Sequence, residues 1–431
     1  MAFSFRAVAS TGLTNIAIVA LTVFNGALQA RLLGPEGRGQ LMSAMVYPTL
    51  VVGIGVGLTE PTLVRAASRR GDALGNVKGL IAVATGLMGV VLPLATTGVL
   101  WGLDRFGLRT ASQYEYIYAL AWGPLAVMGR HFVTIEWGQE QWTAYNLLRA
   151  LMYPCMTAGL VGLWWYEVRH VTGVLWVHVG THVVLAVVVL HRFFRPPRPH
   201  LEALEIAPFF REGRSYLLAG LTATLLLLAD QLAATMWLQD AERGNYAVAL
   251  RVAGMISIAS ASVGTVAFVD GSTEKLKRDE AFYLRHRVLV LVLFVGVLGL
   301  LPVSWVGIPL VFGEEFAPAR EATFMLLPGA LLQALSLILE KRVEGEGRPR
   351  LATTARLLAI LVLGLTLAII SRSLTGLALA FSIAQGVRYF WLLLTELRST
   401  DASLSLLLLP RRSDLALVWA RVRNARMAKR G

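Results

Sequence analysis

The chain has 431 residues, of which 56% are hydrophobic and 16% charged; its mean hydropathy is +0.61 and its net charge +13. This composition excludes a disordered chain, and it is far from the ~25% charged residues of a soluble enzyme. The single cysteine, Cys155, excludes a disulfide framework or a cysteine metal cluster. The basic residues sit between apolar runs, so they report membrane orientation, and no nucleic-acid partner is expected.

Apolar runs long enough to cross a hydrocarbon layer of ~30 Å occur twelve times. They cover roughly 9–30, 40–62, 79–102, 116–135, 147–166, 173–192, 215–238, 246–269, 288–311, 323–341, 351–371 and 376–396. The runs are continuous rather than alternating, which excludes an outer-membrane barrel. Before the first run, MAFSFR carries one charge, and Leu28-Gln29-Ala30 is a poor cleavage match, so this run reads as a retained helix. The expected fold is all-α and polytopic, with twelve transmembrane helices, six in each half. Residues 1–192 would form the first bundle, 193–214 a cytoplasmic linker, 215–396 the second bundle and 397–431 a basic amphipathic tail. In the linker, Pro196, Pro197 and Pro199 stiffen an arginine-rich stretch suited to anionic lipids. In the tail, Leu415, Val418, Trp419 and Val422 share one helical face beside Arg421, Arg423 and Arg426, as in a helix lying on the inner leaflet.

Orientation follows from Lys and Arg. With the N-terminus inside, cytoplasmic segments carry 27 of the 40 and external loops 8. Both termini are therefore expected in the cytoplasm. The two halves also echo each other at an offset near 205–207. Arg38-Gly39-Gln40 matches Arg243-Gly244-Asn245, Asn25 aligns with Asp230, and Gly138 and Arg149 align with Gly345 and Arg356. Six spans per half is an even number, so the repeats would be parallel, with a substrate site between them.

Ionisable residues inside spans are costly and tend to face a cavity. Arg388 lies in the middle of the twelfth span, Arg251 inside the eighth and Arg130 deep in the fourth beside His131. Guanidinium groups bind phosphate oxygens bidentately and stay charged, which makes these three the candidate anion ligands. Arg149 and Arg356, near cytoplasmic ends, read as snorkelling residues. Arg31 and Arg38 flank the outer rim at a turn formed by Gly34-Pro35-Glu36-Gly37, where Arg31 is a candidate for phosphate release. Asn15, Asn25 and Gln29 punctuate the first span, and Asp230 and Gln231 occupy the matched place in the seventh; lining the cavity and linking helices are the two roles open to them. Asp230 is the candidate acceptor if H+ or Na+ drives transport, and Glu60 and Glu340 are weaker candidates. Trp122, Tyr145, Tyr153, Tyr246, Tyr389 and Trp391 offer rings to sugars, whereas Trp101, Trp137, Trp142, Trp164 and Trp165 sit at span ends as an interfacial belt. His178 and His182 have the i, i+4 spacing of a metal pair but no third ligand, so hydrogen bonding is the preferred reading. No P-loop and no G-x-S-x-G occurs.

Arg31-Leu32-Leu33-Gly34-Pro35-Glu36-Gly37-Arg38-Gly39 resembles the segment after the first span of the Wzx-type polysaccharide flippases. These belong to the multidrug/oligosaccharidyl-lipid/polysaccharide exporter superfamily. The resemblance continues at Asp230-Gln231, Tyr246-Ala247-Val248-Ala249, Phe312-Gly313-Glu314-Glu315-Phe316-Ala317-Pro318 and Glu344-Gly345-Glu346-Gly347-Arg348-Pro349. It spans about 1–396. It implies two six-helix bundles around a central cavity, alternating access and a substrate of undecaprenyl-pyrophosphate-linked oligosaccharide, moved from the inner to the outer leaflet of the bacterial cytoplasmic (inner) membrane with no covalent chemistry and no cofactor. A polysaccharide polymerase and glycosyltransferases are the partners such a role would imply. The competing reading is a small-molecule antiporter of the same superfamily; deep positive charge favours an anionic substrate over a cationic drug. A membrane glycosyltransferase or polymerase is disfavoured because the external loops are short.

Overall fold

A computed structural model describes residues 5–68, 74–107, 112–139, 141–195, 199, 206–257, 260, 280–345, 348–370, 372–400 and 408. Among them there is no strand. The helices are α1 (Phe5–Ser68), α2 (Leu74–Arg105), α3 (Gln113–Gly138), α4 (Trp142–Trp165), α5 (Val171–Phe193), α6 (Ile206–Trp237), α7 (Asp240–Ala253), α8 (Glu280–Phe312), α9 (Ala319–Gly345), α10 (Pro349–Ile369) and α11 (Leu374–Thr400). Nine of the described helices are long and apolar enough to cross a membrane. α3 carries Glu115, Arg130 and Glu136 within its length, and α7 is followed by a short 3-10 turn at Gly254–Ile256. The amphipathic face expected in the tail, residues 196–198 and 200–205 of the linker and the far half of the eighth span lie outside the described residues.

The first two expected spans are one helix, α1, of 64 residues. A straight helix of that length would be about 96 Å long, some three times the hydrocarbon thickness. It is broken at Gly34, whose φ of 64° and ψ of −178° are accessible to a residue with no Cβ. Pro35 then opens the second half, where its missing N–H costs nothing and its fixed φ suits a helix start. The expected turn at 34–37 is thus a single-residue break. At the start of α7, the Glu242 carboxylate accepts from the backbone N–H of Gln239, satisfying a donor that the helix leaves open. Lys78 of α2 does the complementary task for α5, donating to the carbonyls of Phe193 and Arg195 at 2.9 and 2.7 Å.

Packing separates into an N-terminal lobe (α1–α5) and a C-terminal lobe (α6–α11). Leu41, Val52, Met88, Trp122 and Leu160 centre the first; Phe316, Leu326, Leu327, Ile338 and Phe381 centre the second. α1 joins the two, since Ala27, Ala30 and Met42 pack into the C-terminal core and Val46 and Tyr47 pack with Leu228. Leu94, Val303, Val306 and Leu310 are more than half exposed on the outside of the lobes. Apolar surface of that extent is tolerable against lipid and not against water. Trp101, Trp164 and Trp165 are exposed near the ends of α2 and α4, as an interfacial belt requires.

Candidate functional site at the lobe interface

Three sequence motifs meet at one end of the molecule, hereafter the Gly34 end. They are the break in α1, the start of α7 and the α8–α9 junction. Gly39 lies against the backbone of Asp240, and Gly244 against the backbone of Pro35, each so closely that a Cβ would collide with a carbonyl. These contacts are reciprocal under the 205-residue offset, because residues 35 and 39 correspond to 240 and 244. A pair of repeats that meet across a two-fold axis makes this kind of self-matching contact. Arg243 donates to Ser43 Oγ and pairs with Asp240, and Gln40 donates to Asp240 Oδ2 at 3.3 Å. Arg31 is a candidate for phosphate release at the rim. It donates to the carbonyls of Leu310 and Val311 at 2.6 and 2.9 Å, satisfying the C-terminus of α8 and tying the lobes together.

Behind this contact lies a chain of buried polar groups. Arg38 donates through Nη1 to Gln29 Oε1 at 2.7 Å, and Gln29 Nε2 lies 3.2 Å from His178 Nε2. Arg38 is 6% exposed, its Nε has no hydrogen-bond partner, and no carboxylate pairs with it among the described residues. Arg251 reaches across from α7, its Nε 3.4 Å from where a Cβ of Gly26 would stand. It too has no carboxylate partner among the described residues, and Arg38, Arg251 and His178 lie within each other's electrostatic reach. The wall behind His178 is aromatic. Tyr118 stacks on Trp122 at 5.1 Å, and Trp122 donates its indole N–H to His182 Nε2 at 3.2 Å. A buried guanidinium group without a counter-anion is costly; Arg38 is buried, and Arg251, half-buried, approaches from the other lobe.

The remaining candidates distribute differently. Arg388 was expected to offer free charge to a cavity; it is 6% exposed and held by Glu340 through bonds of 2.7 and 2.6 Å, with Gln385 accepting a third. Arg356 does not snorkel. It is buried between Glu340 and Glu344 at 2.7 Å each and reaches the Ala219 carbonyl of α6. Glu340, a minor candidate in the sequence, is therefore the hub joining α9, α10 and α11. Asn25 does not line open space either: its amide donates to the Tyr153 carbonyl, and its oxygen accepts from Thr157, linking α1 to α4. Asn15 accepts from Arg149 at 3.3 Å. The Arg149–Asn15 and Arg356–Ala219 contacts occupy equivalent places in the two repeats to within a residue. Asp230 is buried, with Tyr246 donating to Oδ2 at 2.8 Å and Oδ1 unpaired; Gln231 beside it is half-buried. Tyr246 and Trp122 are buried in packing rather than offered to sugar. Arg130 pairs with Glu60 at 2.7 Å, yet 62% of its side chain is accessible, so this pair borders open space beside Tyr145 and Arg149.

No family model matches the sequence, and no curated protein sequence matches it. Solved structures do. The lipid II flippase MurJ in an inward closed conformation aligns with a TM-score of 0.72 at 14% identity, covering 89% of this chain and 87% of that one. A multidrug resistance MATE transporter of the MOP superfamily aligns in its outward-facing form with a TM-score of 0.65 at 14% identity, covering 92% and 96%. A MOP superfamily transporter from Pyrococcus furiosus, titled as having a binding pocket of reversed polarity, aligns at 0.61 and 14% identity, covering 92% and 96%. The chain therefore has the two-lobe, twelve-helix fold of the MOP transporters, and the all-α polytopic fold class read from its sequence stands.

Proposed function

We propose that this protein is a flippase for polyprenyl-diphosphate-linked oligosaccharide, working by alternating access between its two lobes in a bacterial inner membrane. The observation that carries the reading is the pair Arg38 and Arg251. A buried guanidinium group, Arg38, and a half-buried one, Arg251, one from each lobe and neither paired to a carboxylate among the described residues, suit a diphosphate whose charge would otherwise face hydrocarbon. A transporter of cationic drugs would gain nothing from them. On the positive-inside reading the Gly34 end is the outer face, closed by the Gly39–Asp240 and Gly244–Pro35 contacts. Headgroup entry is then from the opposite side, past Glu60, Arg130, Arg149 and Asn15, while the prenyl chain stays in lipid. The buried Asp230 carboxylate, with one donor and one vacant oxygen, is the candidate H+ or Na+ acceptor in the C-terminal lobe.

Purified protein in nanodiscs is to be titrated with a short-chain polyprenyl-diphosphate disaccharide and, separately, with a lipophilic organic cation. The flippase reading expects saturable binding of the diphosphate that weakens at least ~10-fold in Arg251→Gln, the loss of one charge-assisted contact. Saturable binding of the cation alone would support the antiporter instead.

A further inference from the structure

The chain Arg38–Gln29–His178 has a direction fixed by chemistry. A guanidinium group has donors and no acceptor, so the Gln29 atom 2.7 Å from Arg38 Nη1 is the amide oxygen. The amide NH2 then faces His178, and an NH2 group donates only. His178 Nε2, 3.2 Å away, must therefore present its lone pair. The imidazole is neutral, with its proton on Nδ1, whenever this chain is intact. His178 cannot be protonated without turning Nε2 into a donor that confronts another donor.

Two rearrangements resolve that conflict, and the surroundings favour one. Among the described residues, Gln29 is the side chain in hydrogen-bonding contact with His178 Nε2. On its own helix, both nitrogens of His182 are occupied, Nε2 by the Trp122 indole and Nδ1 by the His178 carbonyl at 2.9 Å. From α3, Tyr118 presents a ring edge at 6.3 Å. From α1 and α7 the charged groups in reach are Arg38 and Arg251, both cations; from α4, Tyr153 faces Arg251. Gln29 is thus the available acceptor, and it accepts by rotating its amide half a turn. Its NH2 group then meets Arg38, which loses its one side-chain acceptor while its Nε is already unpartnered. A buried guanidinium group with no acceptor does not stay buried. Arg38 adjoins Gly39, whose backbone seats on Asp240 to close the lobes.

We propose that His178 is a proton-binding site that unlatches the Gly34 end of the transporter: protonation of Nε2 turns Gln29, releases Arg38 and parts the Gly39–Asp240 and Gly244–Pro35 contacts. The imidazole lies seven residues, about 10 Å, into α5 from the same end, so the proton enters from the side that opens. Release of the proton to the opposite side, once the lobes have swung back, restores the latch. A proton taken up where cargo leaves and given up after the reverse movement makes the cycle an antiport. Its use as an energy source rests on the transport reading above; the latch itself does not.

The test uses the full chain in nanodiscs, with Cys155→Ser and spin labels at Glu36→Cys and Glu314→Cys, two exposed positions on opposite lobes at the Gly34 end. Distances are measured by electron-spin resonance as pH is lowered from about 8 to about 4, extending below the range over which a free imidazole titrates. A longer distance is expected to grow in at low pH. His178→Gln, which still accepts from Gln29 but cannot titrate, is expected to hold the short distance throughout. Gln29→Leu, which removes the latch acceptor, is expected to show the long distance at every pH. A wild-type distance indifferent to pH, or a full pH response in His178→Gln, overturns the proposal, and if that variant does not fold, a closed, pH-responsive Gln29→Leu does so. In proteoliposomes, a gradient of two pH units raises the attainable substrate gradient up to ~100-fold for one coupled proton. A latch that titrates in a protein that flips no polyprenyl-diphosphate lipid sinks the transport reading alone. Flipping indifferent to the gradient, with distances indifferent to pH, sinks the latch alone.

Discussion

Replacing Glu340 with alanine leaves two buried guanidinium groups without the carboxylate they share. Arg388 loses both of its carboxylate contacts, at 2.7 and 2.6 Å, and retains Gln385. Arg356 loses contacts of 3.1 and 2.7 Å but keeps Glu344 at 2.7 Å. The damage therefore concentrates on Arg388. Breaking one side of a buried pair costs about 3–5 kcal/mol, most of it the penalty of an uncompensated charge. Glu340→Gln keeps one acceptor oxygen and is expected to cost less, about 1.5–3 kcal/mol. The informative variant is the double one. Adding Arg388→Met to Glu340→Ala removes the orphaned charge, and replacing a whole buried pair by apolar groups is often neutral, so most of the lost stability is expected to return. Unfolding in mixed micelles, followed by tryptophan fluorescence, reads all three variants. If the double variant is no more stable than Glu340→Ala, the pair is not what holds α9 to α11.

Gly39→Ala and Gly244→Ala each put a methyl group against backbone that cannot yield. Each is expected to destabilise the closed Gly34 end by about 1–3 kcal/mol, raising its open population roughly 5- to 150-fold in spin-label distances. Arg31→Ala removes two exposed contacts to helix-end carbonyls, and the same distances should shift only slightly, at a cost of about 0.3–1 kcal/mol. Tyr246→Phe strips Asp230 of its hydroxyl donor and is expected to lower stability by about 1–3 kcal/mol. If Asp230 takes Na+, thermal stabilisation by Na+ over an equal concentration of choline is expected in the wild type and lost in Asp230→Asn.

The sequence makes some of these features plain and hides others for a physical reason. The spans and the 205-residue offset are written locally, in apolar runs and in Arg38-Gly39-Gln40 against Arg243-Gly244-Asn245. What those matched triplets do is not local: each glycine serves a backbone some 200 residues away. Arg388 and Arg356 were visible as cations, yet their neutralisation was not, because Glu340 meets them from another helix. Glu340 lies near the end of its span, where a carboxylate is unremarkable in a sequence. Arg38 was read as part of a rim turn, since nothing in its neighbourhood shows that Gln29, nine residues earlier, folds back to meet it beside His178. Asn25 and Gln29 do share a helical face, as their spacing of four requires, but they serve different partners on α4 and α5.

The central claim is that Arg38 and Arg251 together receive a diphosphate and carry it across. Protein is to be reconstituted with a polyprenyl-diphosphate disaccharide bearing a fluorophore that an impermeant reductant quenches in the accessible leaflet. The wild type is expected to deliver lipid from the protected leaflet in minutes, and Arg38→Gln with Arg251→Gln to fall to the protein-free rate while remaining folded by circular dichroism. Undiminished flipping by that double variant would contradict the account.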